Sequence, residues 1–79
     1  MSVNRIALGK RISFYRLKFS MTQEKLADLT NCSREYIAYL ESGTKTPSLP
    51  TLIDLANVLH ISVDDLLVDS LDYSFSTSG

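Results

Sequence analysis

The stretch from Thr22 to Gly43, TQEKLADLTNCSREYIAYLESG, limits what this chain can fold into more than any other part of it. A hydroxyl residue precedes each of two short apolar-periodic runs, Thr22 before the first and Ser33 before the second. Such a side-chain oxygen can accept from an unpaired helix amide. Asn31 stands between the runs, and asparagine tolerates the left-handed backbone of a tight turn. The pattern predicts two short helices joined by a turn.

Three further helices are predicted outside this stretch. Apolar residues recur at helical spacing within residues 3 to 19, which indicates a first helix. Ser48 can cap a fourth helix that ends at His60. Ser62 opens a short fifth helix through a capping box with Asp65. The order and lengths of these elements predict an all-α chain of five helices.

Length and composition predict one globular domain. A core built from 79 residues is too small to divide, and 44% hydrophobic content is too high for disorder. No apolar run is long enough to cross a bilayer, and the first residues lack a signal-peptide core. The single cysteine, Cys32, cannot form an internal disulfide, which favours a cytoplasmic protein. We expect residues 1–68 to form the domain and residues 69–79 to form a Ser-rich tail with a disordered end.

Charge is unevenly distributed along the chain. The net charge of −1 is low for a protein that binds nucleic acid. However, all eight Lys and Arg lie in residues 1–45 against four acids, whereas residues 46–79 contain five acids and neither Lys nor Arg. This division lets one face attract phosphate while another stays away from it. A solvated mixture of charges is the simpler alternative.

Five consecutive segments, MTQEKLA, SREYI, LESG, PSLPTLIDLANVL and ISVDDLL, resemble the Cro/CI-type (XRE-like) helix-turn-helix family of phage repressors and small bacterial regulators. They cover most of residues 6 to 68 in the order and spacing of that family. The resemblance implies a compact five-helix, lambda-repressor-like domain whose third helix enters the major groove of double-stranded DNA. Ser20, Asn31 and His60 stand where the family commonly has glycine, so we expect strained helix ends at Ser20 and His60.

The third helix carries the candidate base-reading residues Arg34, Glu35, Tyr36 and Tyr39. If Ile37 points inward, a rotation of about 100° per residue places Glu35 and Tyr39 on the opposite side. Arg34 can donate two bonds to guanine, and Glu35 can accept from a cytosine amino group or simply hold neighbouring cations in place. Tyr36 is either a base contact or a packed surface aromatic.

Positioning contacts are predicted on both sides of this helix. The resemblance implies that Gln23 contacts phosphate and that Arg16 pairs with Glu41 to orient the helix. Hydroxyls, backbone amides and the Lys45 ammonium can hold phosphates in the loop after Gly43. The predicted phosphate contacts are Gln23, Ser33, Thr44, Lys45 and Thr46.

The fifth helix is the candidate dimer contact, because this region commonly forms it in the family. The residues concerned are Val63, Leu66, Leu67 and Leu71. Apolar side chains on so short a helix can belong to the core or to an interface, and the sequence leaves both open.

These features predict a sequence-specific transcriptional regulator, with repression as the expected outcome, that acts as a homodimer on a near-palindromic operator. No catalytic residue, cofactor or metal is expected, since His60 lacks a companion ligand or nucleophile. The alternative is a protein-interaction module, such as an antitoxin-like partner. Phe14, Leu17 and Phe19 favour it, because they extend the apolar band of the first helix beyond one core face. The tail or a partner subunit is a candidate cover for them.

Overall fold

The computed structural model describes residues 3–68, and the predicted interface residue Leu71 and the tail 69–79 lie outside that range. Five helices are present, and no strand occurs among the described residues. The all-α, five-helix prediction is therefore confirmed. In chain order the helices are α1 Arg5–Lys18, α2 Gln23–Leu29, α3 Arg34–Ser42, α4 Leu49–Leu59 and α5 Val63–Leu67.

Each helix begins at a polar side chain that accepts a hydrogen bond from the backbone amide three residues later. The acceptors are Asn4, Thr22, Ser33, Ser48 and Ser62. At the two helices of the central motif, Lys25 N lies 3.0 Å from Thr22 Oγ1 and Tyr36 N lies 3.1 Å from Ser33 Oγ. A cap of this kind stabilises a helix by about 1 kcal/mol, so the helix starts are encoded locally.

Three helix-terminal turns place a residue other than glycine in the left-handed region. Ser20, Asn31 and His60 have φ of 56°, 57° and 57°. These are the positions where the family pattern has glycine. A left-handed conformation costs an L-residue about 1–2 kcal/mol, less for asparagine, so strain at Ser20 and His60 agrees with expectation.

One hydrophobic core joins all five helices. Its fully buried side chains are Ile12, Leu26, Ile37, Leu40, Leu55, Leu59 and Leu66. Leu66 is 0% exposed, whereas Val63 and Leu67 are only half-buried. The structure therefore corrects the prediction for Leu66. Its side chain fills the core of its own chain and has no surface left for a partner.

The helices α1 and α3 cross in direct backbone contact at Gly9. A Cβ on Gly9 would lie 2.5 Å from the carbonyl oxygens of Leu40 and Glu41. Glycine in the middle of a helix is unfavourable by about 0.5–1 kcal/mol relative to alanine, and here the close approach of the two helices requires it. This crossing locates the C-terminal end of α3 against α1.

The outer face of α1 is apolar and exposed. Phe14 and Leu17 are 60% and 61% exposed, and Phe19, just beyond the helix, is 44% exposed. Phe14 stacks edge-on against Tyr15, and Phe19 against His60. Residues 3–68 alone therefore leave this face open to solvent.

None of the described helices is both long and apolar enough to span a membrane.

Candidate nucleic-acid interface

A bidentate ion pair joins α1 to the end of α3. Arg16 Nε donates to Glu41 Oε2 at 2.6 Å, and Arg16 Nη2 donates to Glu41 Oε1 at 3.0 Å. The third guanidinium nitrogen donates to the carbonyl oxygen of Met21 at 2.7 Å. Both side chains are about nine-tenths buried, so solvent screens the pair weakly. The pair fixes the rotation of α3 relative to α1.

The same carboxylate also binds the first residue of α2. Gln23 Nε2 donates to Glu41 Oε1 at 3.1 Å. Three helices therefore meet at one side chain, Glu41. The sequence suggested a phosphate contact for Gln23 but not this second bond, which only the folded arrangement of α2 and α3 produces.

A compact turn connects α2 to α3. The amide of Cys32 donates to the carbonyl oxygen of Ala27 at 2.9 Å, and the buried hydroxyl of Thr30 donates to that of Leu26 at 2.7 Å. Asn31 lies between them in the left-handed conformation. These short-range bonds close the turn that leads from α2 into α3.

The outward face of α3 carries three of the four predicted base-reading side chains. Arg34 and Glu35 are exposed, and Tyr39 is 45% exposed, while Ile37 on the opposite side is fully buried. Tyr36 is half-buried and packs against the core, which was its alternative interpretation. Among the described residues, no ion pair links Arg34 to Glu35. The guanidinium is therefore available to an external acceptor.

Tyr39 organises the loop that follows α3. Its carbonyl oxygen accepts from the amides of Thr44 and Lys45 at 2.9 and 3.2 Å. Its ring lies 5.1 Å from the Lys45 ammonium, within the range of a cation–π contact. The hydroxyls of Ser42 and Thr44 are 2.8 Å apart. The sequence did not predict this arrangement, which places the predicted phosphate-binding loop directly beside the face of α3 that carries Arg34, Glu35 and Tyr39.

The acidic part of the chain lies on other helices. The exposed carboxylates of Asp54, Asp64 and Asp65 belong to α4 and α5, which contain no Lys or Arg. The charge asymmetry of the sequence thus separates these two helices from α1, which contains five Lys and Arg residues and no acid. An approaching polyanion is disfavoured at α4 and α5.

Comparison with known proteins identifies this arrangement. A family model described as helix-turn-helix matches residues 12–66. The chain belongs to the helix-turn-helix family of transcriptional regulators, of the Cro/CI type. An HTH-type transcriptional regulator of Archaeoglobus fulgidus is 40% identical over 58 residues, which are 73% of this chain and 82% of that protein.

Solved structures of helix-turn-helix regulators share the fold. The restriction–modification controller protein C.AhdI from Aeromonas hydrophila superimposes with a TM-score of 0.74 at 31% identity. The match covers 77% of this chain and 92% of the C.AhdI chain. The P22 c2 repressor in complex with a synthetic operator superimposes with a TM-score of 0.74 at 30% identity. The match covers 76% of this chain and 91% of the repressor chain.

Membership in this family defines the general activity of the protein. It is a DNA-binding transcriptional regulator, and the family is not one of enzymes. Within residues 3–68, no group of three His, Cys, Asp or Glu side chains is arranged to hold a metal ion.

Proposed function

We propose that this helix-turn-helix regulator is a cytoplasmic repressor that binds a near-palindromic operator as a homodimer. The observation that carries the proposal is the outward placement of Arg34, Glu35 and Tyr39 on a helix whose orientation is held by the Arg16–Glu41 pair. A side chain can distinguish bases only when its helix is held in a fixed orientation, because misplacement of about 1 Å removes the geometry of a bidentate bond.

Arg34 is the principal base-reading residue in this proposal. It lies at the first position of α3, and the first turn of a recognition helix approaches the base edges most closely. Its guanidinium would donate two bonds to guanine O6 and N7. Glu35 would accept from a cytosine amino group, Tyr39 would contact a thymine methyl, and Tyr36 would contribute with the part of its ring that the core leaves exposed.

The phosphate contacts flank the reading face. Gln23 and Ser33 stand at the starts of α2 and α3, where the positive end of each helix dipole favours an anion. Thr44, Lys45 and Thr46 lie in the loop that Tyr39 organises. These contacts would fix the register of the protein on DNA without reading its sequence.

Dimerisation would use the surface of α5. Val63 and Leu67 retain exposed area there, and Leu71 follows outside the described residues. One recognition helix makes few base contacts, so two copies on half-sites about 34 Å apart provide a physical route to specificity. The controller protein and the operator-bound repressor that share this fold support a role in occupying promoter DNA.

The testing experiment is selection of bound duplexes from a random DNA pool at about physiological salt. An enriched inverted repeat with half-sites about one helical turn apart is the expected result. Enrichment of a single half-site would reject the dimer. If the folded protein enriches no sequence, the proposal that it binds a specific operator is rejected.

A second function is favoured by the exposed apolar face of α1. Phe14 and Leu17 together leave large apolar surface in water, and such patches often mark protein contacts. The alternative is an antitoxin-like module that uses the same fold to bind another protein. Binding to a protein partner through an apolar face would be insensitive to salt, whereas phosphate binding weakens steeply as salt rises.

A further inference from the structure

The start of α1 lies directly against the end of the recognition helix. Gly43 terminates α3 with φ of 79°. A Cβ on Gly43 would come within 2.9 Å of Ile6 Cγ1 and 3.0 Å of Ile6 Cα. Because these backbones touch, the first turn of α1 is held beside the loop that begins at Thr44.

An open cleft of about 520 Å³ lies at this junction. The residues that line it are Val3, Asn4, Arg5, Ile6, Gly43 and Thr46. None of them is acidic. Arg5 is exposed and forms no ion pair with any residue in the range 3–68. The cleft therefore presents a positive charge that the described part of the protein does not neutralise.

The location of this charge is unfavourable for the helix itself. Arg5 occupies the first position of α1, and the first turn contains no acidic residue. The positive end of the helix dipole repels a cation at that place. A stabilising role within α1 thus does not explain the guanidinium, whereas an external anion held jointly by Arg5 and the helix start would.

We propose that Arg5 is a further DNA contact, which binds a backbone phosphate next to those held by the loop 44–46. This inference rests on the proposed DNA-binding function. Thr46 belongs to that loop and also lines the cleft, so the two surfaces are continuous. A DNA strand carries one phosphate per about 3.4 Å of axis, so a strand held at the loop presents further phosphates beside it. The planar guanidinium can donate two parallel bonds to such an oxygen pair.

The first test is the salt dependence of binding to a random-sequence duplex. Each phosphate neutralised by the protein contributes about 0.9 to the slope of log affinity against log salt. We expect R5A to reduce that slope by about one, with an equal fold-loss on operator and on random DNA. R5K should keep most of the slope, because it keeps the charge. K10A is the matched control, since Lys10 is exposed on the same helix and does not line the cleft.

If R5A reduces the slope of log affinity against log salt more than K10A does, the contact of Arg5 with a phosphate is supported. If R5A, K10A and the wild type have equal slopes, the contact is overturned. Absence of any DNA binding by the wild-type chain overturns the proposed function and this inference together. The thermal midpoint of R5A should equal or exceed that of the wild type, because a charge opposed to the helix dipole has been removed.

The second test locates the contact. Neutral methylphosphonate groups are placed one at a time along one strand of the selected operator. The wild type should lose affinity at a phosphate adjacent to the position sensitive to K45A, and R5A should be insensitive at that phosphate alone. If R5A retains the full wild-type pattern of sensitivity, Arg5 acts only through the general field and the proposed contact is wrong.

Discussion

Gly9 touches the carbonyl oxygen of Leu40 so closely that a Cβ on it would lie 2.5 Å away. This contact brings α1 onto the C-terminal end of α3, where the Arg16–Glu41 pair is also formed. The separation of the two helix backbones is therefore set at the same place as the rotation of α3 relative to α1. Substitution of Gly9 or Arg16 should therefore disturb the placement of α3 on α1.

Gly9→Ala should destabilise the fold by about 1–3 kcal/mol, the usual range for an overpacked site, despite the better helix propensity of alanine. The obstructing atoms are backbone atoms and cannot rotate away. Urea denaturation followed by circular dichroism measures the effect. Lys10→Ala, exposed on the same helix, should change stability by no more than about 0.5 kcal/mol. A Gly9→Ala protein as stable as this control would contradict the contact.

Ser20→Gly should stabilise the protein by about 0.5–1 kcal/mol. Relief of the left-handed strain, about 1–2 kcal/mol, exceeds the cost of the added freedom of the unfolded chain. The thermal midpoint measures the gain. Asn31→Gly should be nearly neutral, because asparagine already tolerates φ of 57°. Ser13→Gly, inside α1, should lower the thermal midpoint. If Ser13→Gly raised it instead, the gain in Ser20→Gly would not be due to relief of left-handed strain.

Arg16→Met should cost about 3–5 kcal/mol, because it leaves the nine-tenths buried carboxylate of Glu41 without its charged partner. The double variant Arg16→Met with Glu41→Leu should recover most of that stability. Chemical denaturation of the two single variants and the double variant gives the coupling energy. Additive losses would mean that the two side chains act independently despite their 2.6 Å contact.

Arg34→Ala should weaken binding to the selected operator by about 1–3 kcal/mol and relax preference at one base pair in each half-site. Binding to random DNA should change much less. Lys45→Ala is the comparison, because a phosphate contact is lost equally from every sequence. Fluorescence anisotropy on both duplexes separates the two cases. Equal losses for Arg34→Ala on both DNAs would reassign Arg34 to the phosphate backbone.

Leu67→Asp should yield a folded monomer, because Leu67 is only half-buried within its own chain and would be buried further by a partner. Leu66→Asp should instead unfold the protein, since Leu66 is fully buried in the core. Sedimentation and circular dichroism distinguish the outcomes. A stable dimer of Leu67→Asp would exclude α5 from the interface.

Local signals in the sequence were sufficient to predict the five helices and the caps of four of them. Thr22, Ser33, Ser48 and Ser62 cap the helices predicted to follow them, and Ser20, Asn31 and His60 adopt left-handed backbone where the family pattern has glycine. Capping and turn formation depend on residues within one helical turn of each other, so a linear pattern can report them. The inward position assumed for Ile37 agrees with its fully buried side chain.

Contacts between residues that are distant in the sequence could be identified only from the tertiary structure. The amide of Gln23 meets Glu41 across 18 positions, and Gly9 meets Leu40 across 31 positions; neither contact leaves a local pattern. For the contact between Gly9 and Leu40, the available signal in the sequence was a glycine inside the first predicted helix. Leu66 and Leu67 have the same side chain and adjacent places in α5, yet one is buried and the other is half-exposed. The direction in which α5 docks makes that difference, because a one-position step rotates a side chain by about 100° around the helix.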